Sequence, residues 1–433
     1  MKISLLKNIL KGSIDVFIIK MFGAVAVFIL MLSISKSAGP AALGKFQLLS
    51  KIVLIGSIVS TLGLDIFAVR KVSEIGDSRV LSTRFVNRSV YVIFGTSIFI
   101  ALFIFLLRGF IAETFFKTSE MEIYIAFAGV TIFFYAGYSF LCQIFRGYGS
   151  VRVFAFFRYS WLHIFFISLL GILYLIKGNL VENYIYILYF SGIALSFFSI
   201  LVFLKRYLKR KDFSEKTDVP DPGLKSDVFK SLPMMFSSSL SFFTAYTNVF
   251  IIGYFLSTYY VGIFSGILQF MMFFSFISVA LAAYTSPMLA KSHIKKDFKM
   301  LRSLYLHSIL ISGLILTPVF LGLVFFPEFI LEITFGDKYI LYSSIMPILA
   351  LGYFINALSG PVITMMNMTD NQSKLVLFSI LNFVLGSTLT VVLTWKYSIT
   401  GAAVASCTTN IVFRLSLMYF ITKHVAVVKK DPV

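Results

Sequence analysis

The chain has 433 residues, 58% of them hydrophobic and only 13% charged, and a formal net charge of +19. Apolar runs of about 18–25 residues recur along its length, which excludes a soluble globular protein and marks a helical chain that crosses a bilayer many times. In a soluble chain this basic excess would suggest nucleic acid; here Lys and Arg crowd the short loops between apolar runs, so no nucleic-acid partner is expected.

Lys2, Lys7 and Lys11 precede the first apolar run. That run is longer than the core of a signal peptide and holds Asp15 and Lys20, so it reads as an uncleaved first helix. Measured against the ~20 residues needed to cross ~30 Å of hydrocarbon, the chain divides into twelve spans. They are 12–35, 46–67, 89–108, 123–143, 157–176, 184–204, 234–256, 262–284, 304–326, 342–362, 375–395 and 400–421. The prediction is an all-α integral membrane protein of two six-helix lobes, residues 1–204 and 233–433, joined by a linker at 205–232. The linker opens with the basic run Lys205 to Lys211, placed on an anionic leaflet at about 1 kcal/mol per charge. Its second half, around Asp218-Val-Pro-Asp-Pro-Gly223, reads as a solvated connector.

A weak internal repeat supports the division: Leu43-Gly44-Lys45-Phe46 in one half answers Val261-Gly262-Ile263-Phe264 in the other. Two lobes with a substrate path between them are a common transporter plan. Of the basic residues, 28, Arg158 among them, fall on the side of the N-terminus and 7 on the other, which makes both termini cytoplasmic.

Polar residues at helical spacing mark faces turned from lipid: Gln47, Lys51, Ser57, Thr61 and Asp65 in the second span, Ser237, Ser241, Thr244 and Asn248 in the seventh, Ser265 and Gln269 in the eighth. Ser379, Asn382, Gly386 and Thr390 align in the eleventh, and Ser406, Asn410 and Arg414 in the twelfth. For the hydroxyls, packing between helices is the favoured explanation. For the ionisable groups it is a cavity, because a lysine at mid-bilayer costs roughly 2.5–3.5 kcal/mol. Lys20 lies ~12 Å inside its helix, out of easy reach of either surface. Asp15 is ~140° around the helix from it, so Lys20 is expected to be unpaired and to face an anion. Lys51 is nearer a helix end and can partly snorkel; Arg414 serves equally as a cargo contact or a structural pair. His163 and His307, near helix ends, read as packing or interfacial residues.

No nucleophile–base set, carboxylate pair, phosphate loop or metal cluster appears, so neither an enzyme nor a metal or cofactor is expected. Cys142 and Cys407 fall inside spans as small hydrophobes. The alternative of a membrane glycosyltransferase or polymerase would want a large outer loop with clustered acidic, Arg or His residues, and the outer loops are short.

In order and spacing, several segments resemble the Wzx-type polysaccharide flippases of the MATE-like flippase superfamily, the O-antigen translocases. They are Ser37-Ala-Gly-Pro-Ala-Ala-Leu-Gly-Lys-Phe46, Leu62-Gly-Leu-Asp65 with Arg70-Lys71, Gln143-Ile-Phe-Arg-Gly-Tyr-Gly-Ser-Val-Arg152, Ser231-Leu-Pro233 and Val261-Gly-Ile-Phe264. Further along come Thr285-Ser-Pro-Met-Leu-Ala290, Thr334-Phe-Gly-Asp-Lys338, Leu349-Ala-Leu-Gly352 and Ile399-Thr-Gly-Ala-Ala-Val-Ala405. The resemblance implies a carrier that moves undecaprenyl-diphosphate-linked oligosaccharide units from the cytoplasmic to the outer leaflet of a bacterial inner membrane by alternating access. The implied partners are that lipid-linked oligosaccharide, membrane lipids, and a polysaccharide polymerase and chain-length regulator. The cavity it implies is cationic and lined largely by the first, second, seventh and eighth helices, with Lys20 and Lys51 on the first two; Asn248, Gln269 and, from its place in the twelfth span, Arg414 complete the expected substrate-contacting set. The eighth helix departs from the pattern in offering Gln269 and no charge. An inside-negative potential drives an anion outward at roughly 2.3 kcal/mol per charge per 100 mV. The runner-up is a cation-coupled multidrug extruder of the same fold, which would want a carboxylate deep in the cavity. A major-facilitator carrier matches by count but lacks its Gly-x-x-x-Asp-Arg-x-Gly-Arg loop.

Overall fold

In hydrocarbon a peptide group must find its hydrogen bond within the chain, and a continuous apolar run solves this as a helix. The computed structural model describes residues 2–75, 79–177, 182–210, 223–295, 297–368 and 371–424, and all regular structure among them is helical. The helices are α1 (Lys2–Ser60), α2 (Leu64–Ile75), α3 (Arg79–Ile111), α4 (Glu122–Gly147), α5 (Val151–Ala155), α6 (Leu162–Lys177) and α7 (Glu182–Arg210). There follow α8 (Leu224–Phe255), α9 (Thr258–Ile294), α10 (Phe298–Phe325), α11 (Pro327–Thr334), α12 (Ile345–Leu358), α13 (Val362–Met368) and α14 (Gln372–His424).

Two of these fold back on themselves. Gly39 breaks α1 at φ 88°, in the left-handed region where glycine is unstrained, just before Pro40. Past the break, Gln47 Nε2 donates to Met31 Sδ at 2.9 Å, a pair that an unbroken helix would hold ~24 Å apart. In α14 the break is at Tyr397 and Ser398. A Cβ on Gly386 would lie 2.9 Å from Thr409 Cγ2, against ~35 Å in a straight helix.

Among the described residues nine helices are long and apolar enough to cross a membrane, where twelve spans were expected. The difference has two sources. Each of the hairpins α1 and α14 contains two expected spans, and the expected span at 342–362 contracts to the 14-residue α12, bounded by a 3₁₀ segment ending at Tyr342 and by Gly360 at φ 63°. Residues 211–222 of the expected linker lie outside the described residues, and residues 224–232 are already helical.

The chain divides into two units, Met1–Tyr246 with Ser257–Gly262, and Thr247–Leu256 with Ile263–Val433. In the first, α4 is the central helix, packed by α1, α2, α3 and α7. Small residues allow this: Ala128, Gly129, Ala136 and Gly137 line its buried faces, and a Cβ on Gly137 would meet the Phe197 ring at 2.5 Å. Phe85, Phe140, Phe145, Phe157 and Phe197 belong to one aromatic core around it. Among the ion pairs that tie helices together are Lys45 to Glu182 on α7 at 2.9 Å, and Lys71 on α2 to Asp227 on α8 at 3.4 Å, both partners of the second being buried.

In the second unit α12 packs against α10 and α14, with Phe320 and Phe354 stacked at 4.4 Å. Leu289, Leu301, Tyr305, Met365, Met366 and Leu417 form a core of their own.

Candidate functional site

The second arm of α1 carries Leu54, Ser57, Ile58 and Thr61 at spacings that share a helix face, and these line a cavity of about 140 Å³ in the first unit. The chain then turns sharply, Leu62 at φ 49° and Gly63 at φ 78°, so that Asp65 opens α2 against the same cavity. Across from it α4 supplies Tyr135, Ser139 and Gln143, four residues apart along one face, and α8 supplies Met235 and Ser238.

The remaining wall is Arg158, which lies one residue inside the expected span 157–176 and falls on the side of the N-terminus by the charge bias. It stands within a π-helical stretch, Phe156–Trp161, between α5 and α6. The wider turn of a π-helix re-aims side chains, and such stretches recur at functional sites. This one is pinned on three sides. The Tyr138 hydroxyl donates to the Phe157 carbonyl, Ser160 Oγ donates to Ile19 O at 2.8 Å, and His163 Nδ1 donates to Tyr159 O at 3.2 Å. His163 is thus engaged by its own helix, as a packing residue would be.

Arg158 Nη1 donates to Ser139 Oγ at 3.2 Å. The Ser139 hydroxyl in turn faces Asp65 Oδ2 at 3.5 Å, and Thr61 Oγ1 donates to Asp65 Oδ1 at 3.2 Å. Ser139 thereby stands between a guanidinium and a carboxylate. Gln143 is 8% exposed, and its Oε1 has no hydrogen-bond partner; such an orphaned acceptor costs about 1–3 kcal/mol.

Both expected lysines lie in this unit. Lys51 stands one turn from Leu54 on α1, its Nζ 4.3 Å from the centre of the Tyr246 ring on α8. Lys20 had been expected to be unpaired. It is half-buried, with its Nζ 4.6 Å from the centre of the Tyr159 ring in the π-helical stretch. The reason is local. At Gly23 the first arm of α1 presses so closely on this stretch that a Cβ would sit 2.2 Å from Tyr159 O, which brings Lys20 over the ring. Asp15 makes no pair with Lys20 because Arg152 takes it, Nη2 to Oδ2 at 2.5 Å. Cation–π contacts of this kind contribute about 0.5–2 kcal/mol and leave the ammonium free to donate.

The other three expected residues lie in the second unit. Asn248 is engaged at both ends of its amide: Nδ2 donates to Ser406 Oγ at 2.8 Å, and Oδ1 accepts from Thr390 Oγ1 at 3.0 Å. Its partners are on the two arms of α14, so this amide fastens α8 to the hairpin. One turn beyond Ser406, Asn410 Oδ1 accepts from Asn356 Nδ2 at 3.1 Å. Arg414, a further turn on, is half-buried and near Tyr305, and its Nε has no hydrogen-bond partner. Gln269 is 9% exposed with an unpartnered Oε1. Cys142 and Cys407 are free and buried.

The first unit therefore presents Lys20, Lys51 and Arg158 with rings, hydroxyls, one carboxylate and an unmet amide oxygen beside the last of them. Arg158 offers a planar fork suited to an oxyanion and the lysines offer movable point charges. Residues 38–344 match a family described as polysaccharide biosynthesis protein. The chain belongs to that family. It is also 25% identical over 216 residues to the "probable low-salt glycan biosynthesis flippase Agl15" of Haloferax volcanii, a match covering 47% of this chain and 45% of that relative, so the chain spans about half the length of that protein. Its fold is that of a multidrug resistance MATE family transporter of the MOP superfamily in an inward-facing conformation, with a TM-score of 0.74 at 15% identity over 97% of this chain and 100% of the other. It is also similar to the lipid II flippase MurJ in an inward closed conformation, TM-score 0.68 at 15% identity, covering 95% of this chain and 87% of that one. These likenesses show the MATE fold, and with the nine long apolar helices among the described residues the chain is a multi-pass membrane protein.

Proposed function

We propose that the protein is a flippase that moves undecaprenyl-diphosphate-linked oligosaccharide repeat units from the cytoplasmic to the outer leaflet of a bacterial inner membrane, for O-antigen or similar surface polysaccharide. The observation that carries this reading is that Lys20, Lys51 and Arg158, each at least partly buried, all lie in one unit of a polysaccharide-family membrane protein. Intramembrane charge of one sign is costly and persists where it lines a path for the other sign. A diphosphate with its sugars cannot enter hydrocarbon unaided, whereas the polyprenyl tail can stay in lipid. In this reading the hairpins α1 and α14 each cross twice and α12 once, which makes twelve crossings in two six-helix lobes with both termini cytoplasmic. The lysines and Arg158 hold the phosphates, while hydroxyls and tyrosines meet the sugars. Arg414, unmatched by a carboxylate among the described residues, is a second contact for the cargo. The membrane potential drives the anion outward as the lobes alternate their access, and no catalytic step is involved.

The test is export of polymer in a bacterial host that lacks its own flippase. Wild type should restore surface polymer, and the Lys20→Ala/Lys51→Ala double variant should not. Normal export with both lysines neutralised would sink the phosphate-binding role. A wild type that exports no polymer yet confers drug resistance would replace the reading with that of an extruder.

A further inference from the structure

A second cavity of the first unit has a different character. It measures about 490 Å³ and lies between α1 and α7 beside the π-helical stretch, with Ile19, Phe156, Phe157 and Trp161 among its walls and Arg152 and Arg206 among its lining residues. Its volume falls within the ~300–1,000 Å³ of small-molecule sites. The lining is almost wholly apolar apart from those two guanidinium groups. Trp161 is held in place there, its Nε1 donating to Ser199 Oγ on α7 at 3.0 Å and its ring stacked on Phe165 at 5.7 Å.

The two arginines are differently placed. Arg152 is paired with Asp15 through one nitrogen, and its side chain remains 62% exposed. Arg206 is exposed, with no acidic partner among the described residues. It belongs to the basic run that begins at Lys205, on the side that the charge bias assigns to the cytoplasm. An apolar slot with cationic groups at that level is complementary to one kind of molecule, an anionic lipid lying with its tail along the helices and its phosphate at the arginines.

We propose that this groove is a binding site for an anionic phospholipid, with its headgroup phosphate at Arg206 and Arg152 and one acyl chain against Phe156, Phe157 and Trp161. The site is separate from the Asp65–Ser139–Arg158 cavity and does not depend on the cargo of the carrier.

Trp161 makes the site directly readable, since Trp395 is the only other tryptophan in the sequence. The full-length Trp395→Phe protein is reconstituted in vesicles of phosphatidylcholine that contain a minor fraction of either phosphatidylglycerol or phosphatidylcholine brominated on the acyl chains. Quenching of Trp161 should be stronger with the brominated phosphatidylglycerol by about fivefold, the factor that one basic group near an anionic lipid supplies. Arg206→Gln should remove most of that preference, and Lys205→Gln, one residue away and not part of the lining, should keep it. Equal quenching by the two lipids would overturn the proposal, as would an equal loss in Lys205→Gln, which would mean a diffuse surface field. If undecaprenyl diphosphate relieves the quenching where unbrominated phosphatidylglycerol does not, the groove belongs to a polyprenyl tail and the proposal fails.

Discussion

Gly44 and Gly262 pack backbone against backbone: a Cβ on Gly44 would lie 1.7 Å from Thr258 O and 2.9 Å from Gly262 N, and one on Gly262 would lie 1.8 Å from Pro40 O. These are the two glycines of the internal repeat, and their contact lies within the first unit. Neither position has room for a methyl group. Gly44→Ala and Gly262→Ala should each destabilise the protein by about 1–3 kcal/mol, the scale of overpacking. The double variant should cost less than the sum, because both methyls intrude on one gap. Thermal unfolding in detergent checks both statements.

The Lys71–Asp227 pair is buried on both sides, with side chains 8% and 5% exposed. Removing one partner strands the other charge, so Asp227→Asn and Lys71→Met should each lower stability by about 3–5 kcal/mol. Lys71→Met/Asp227→Leu should recover most of the loss. A double-mutant cycle with additive effects would show that the two do not depend on each other.

Arg158 is held by a hydroxyl on α4, and its planar fork is what a lysine cannot copy. Arg158→Lys should reduce polymer export about tenfold or more, the scale of losing hydrogen bonds to a charged group, about 1.5–3 kcal/mol. Membrane abundance of the variant, measured alongside, should stay near that of wild type. Export by Arg158→Lys equal to wild type would remove Arg158 from the cargo path.

Lys51 rests on the Tyr246 ring, and the hydroxyl of that ring has no part in the contact. Tyr246→Phe should therefore leave export nearly unchanged, whereas Tyr246→Leu should reduce it by about two- to fivefold, in line with ~0.5–1 kcal/mol for a cation–π contact. An equal effect of the two substitutions in the same export assay would show that the ring is not what holds the lysine.

Asn248 separates fastening from transport. Both ends of its amide are used between α8 and α14, so Asn248→Leu should cost stability, about 1–3 kcal/mol for the stranded partners, and spare export per folded molecule. A variant of normal stability that fails to export would return Asn248 to the cargo path.

Helical membrane character, the turn at Ser37 to Gly44 and two lysines within apolar helices were all readable from residue order, because each depends on a local run of apolar residues and its interruption. The partners of those lysines were not. Tyr159 lies 139 positions from Lys20 and Tyr246 lies 195 from Lys51, and no spacing rule spans such gaps. Arg158 was hidden for another reason: it sits one residue inside an expected span, next to loop arginines, and only the π-helical winding turns it inward. Asn248 was legible as a polar residue on an apolar helix, but not its bonds to Thr390 and Ser406, which lie 142 and 158 positions away. The short α12 was illegible because hydropathy continues through 342–362 while the backbone does not.

The six residues Phe156–Trp161 carry Arg158 into the polar cavity and Trp161 into the apolar groove. A slip of this segment from π to α pitch would rotate whatever follows by about 100° per residue taken up. Arg158 at Ser139 and Trp161 at Ser199 thus stand on one mechanical element that joins the apolar groove to the charged interior. By reciprocity, any ligand that favours one winding at the groove must alter affinity at the cavity, and the reverse by the same factor.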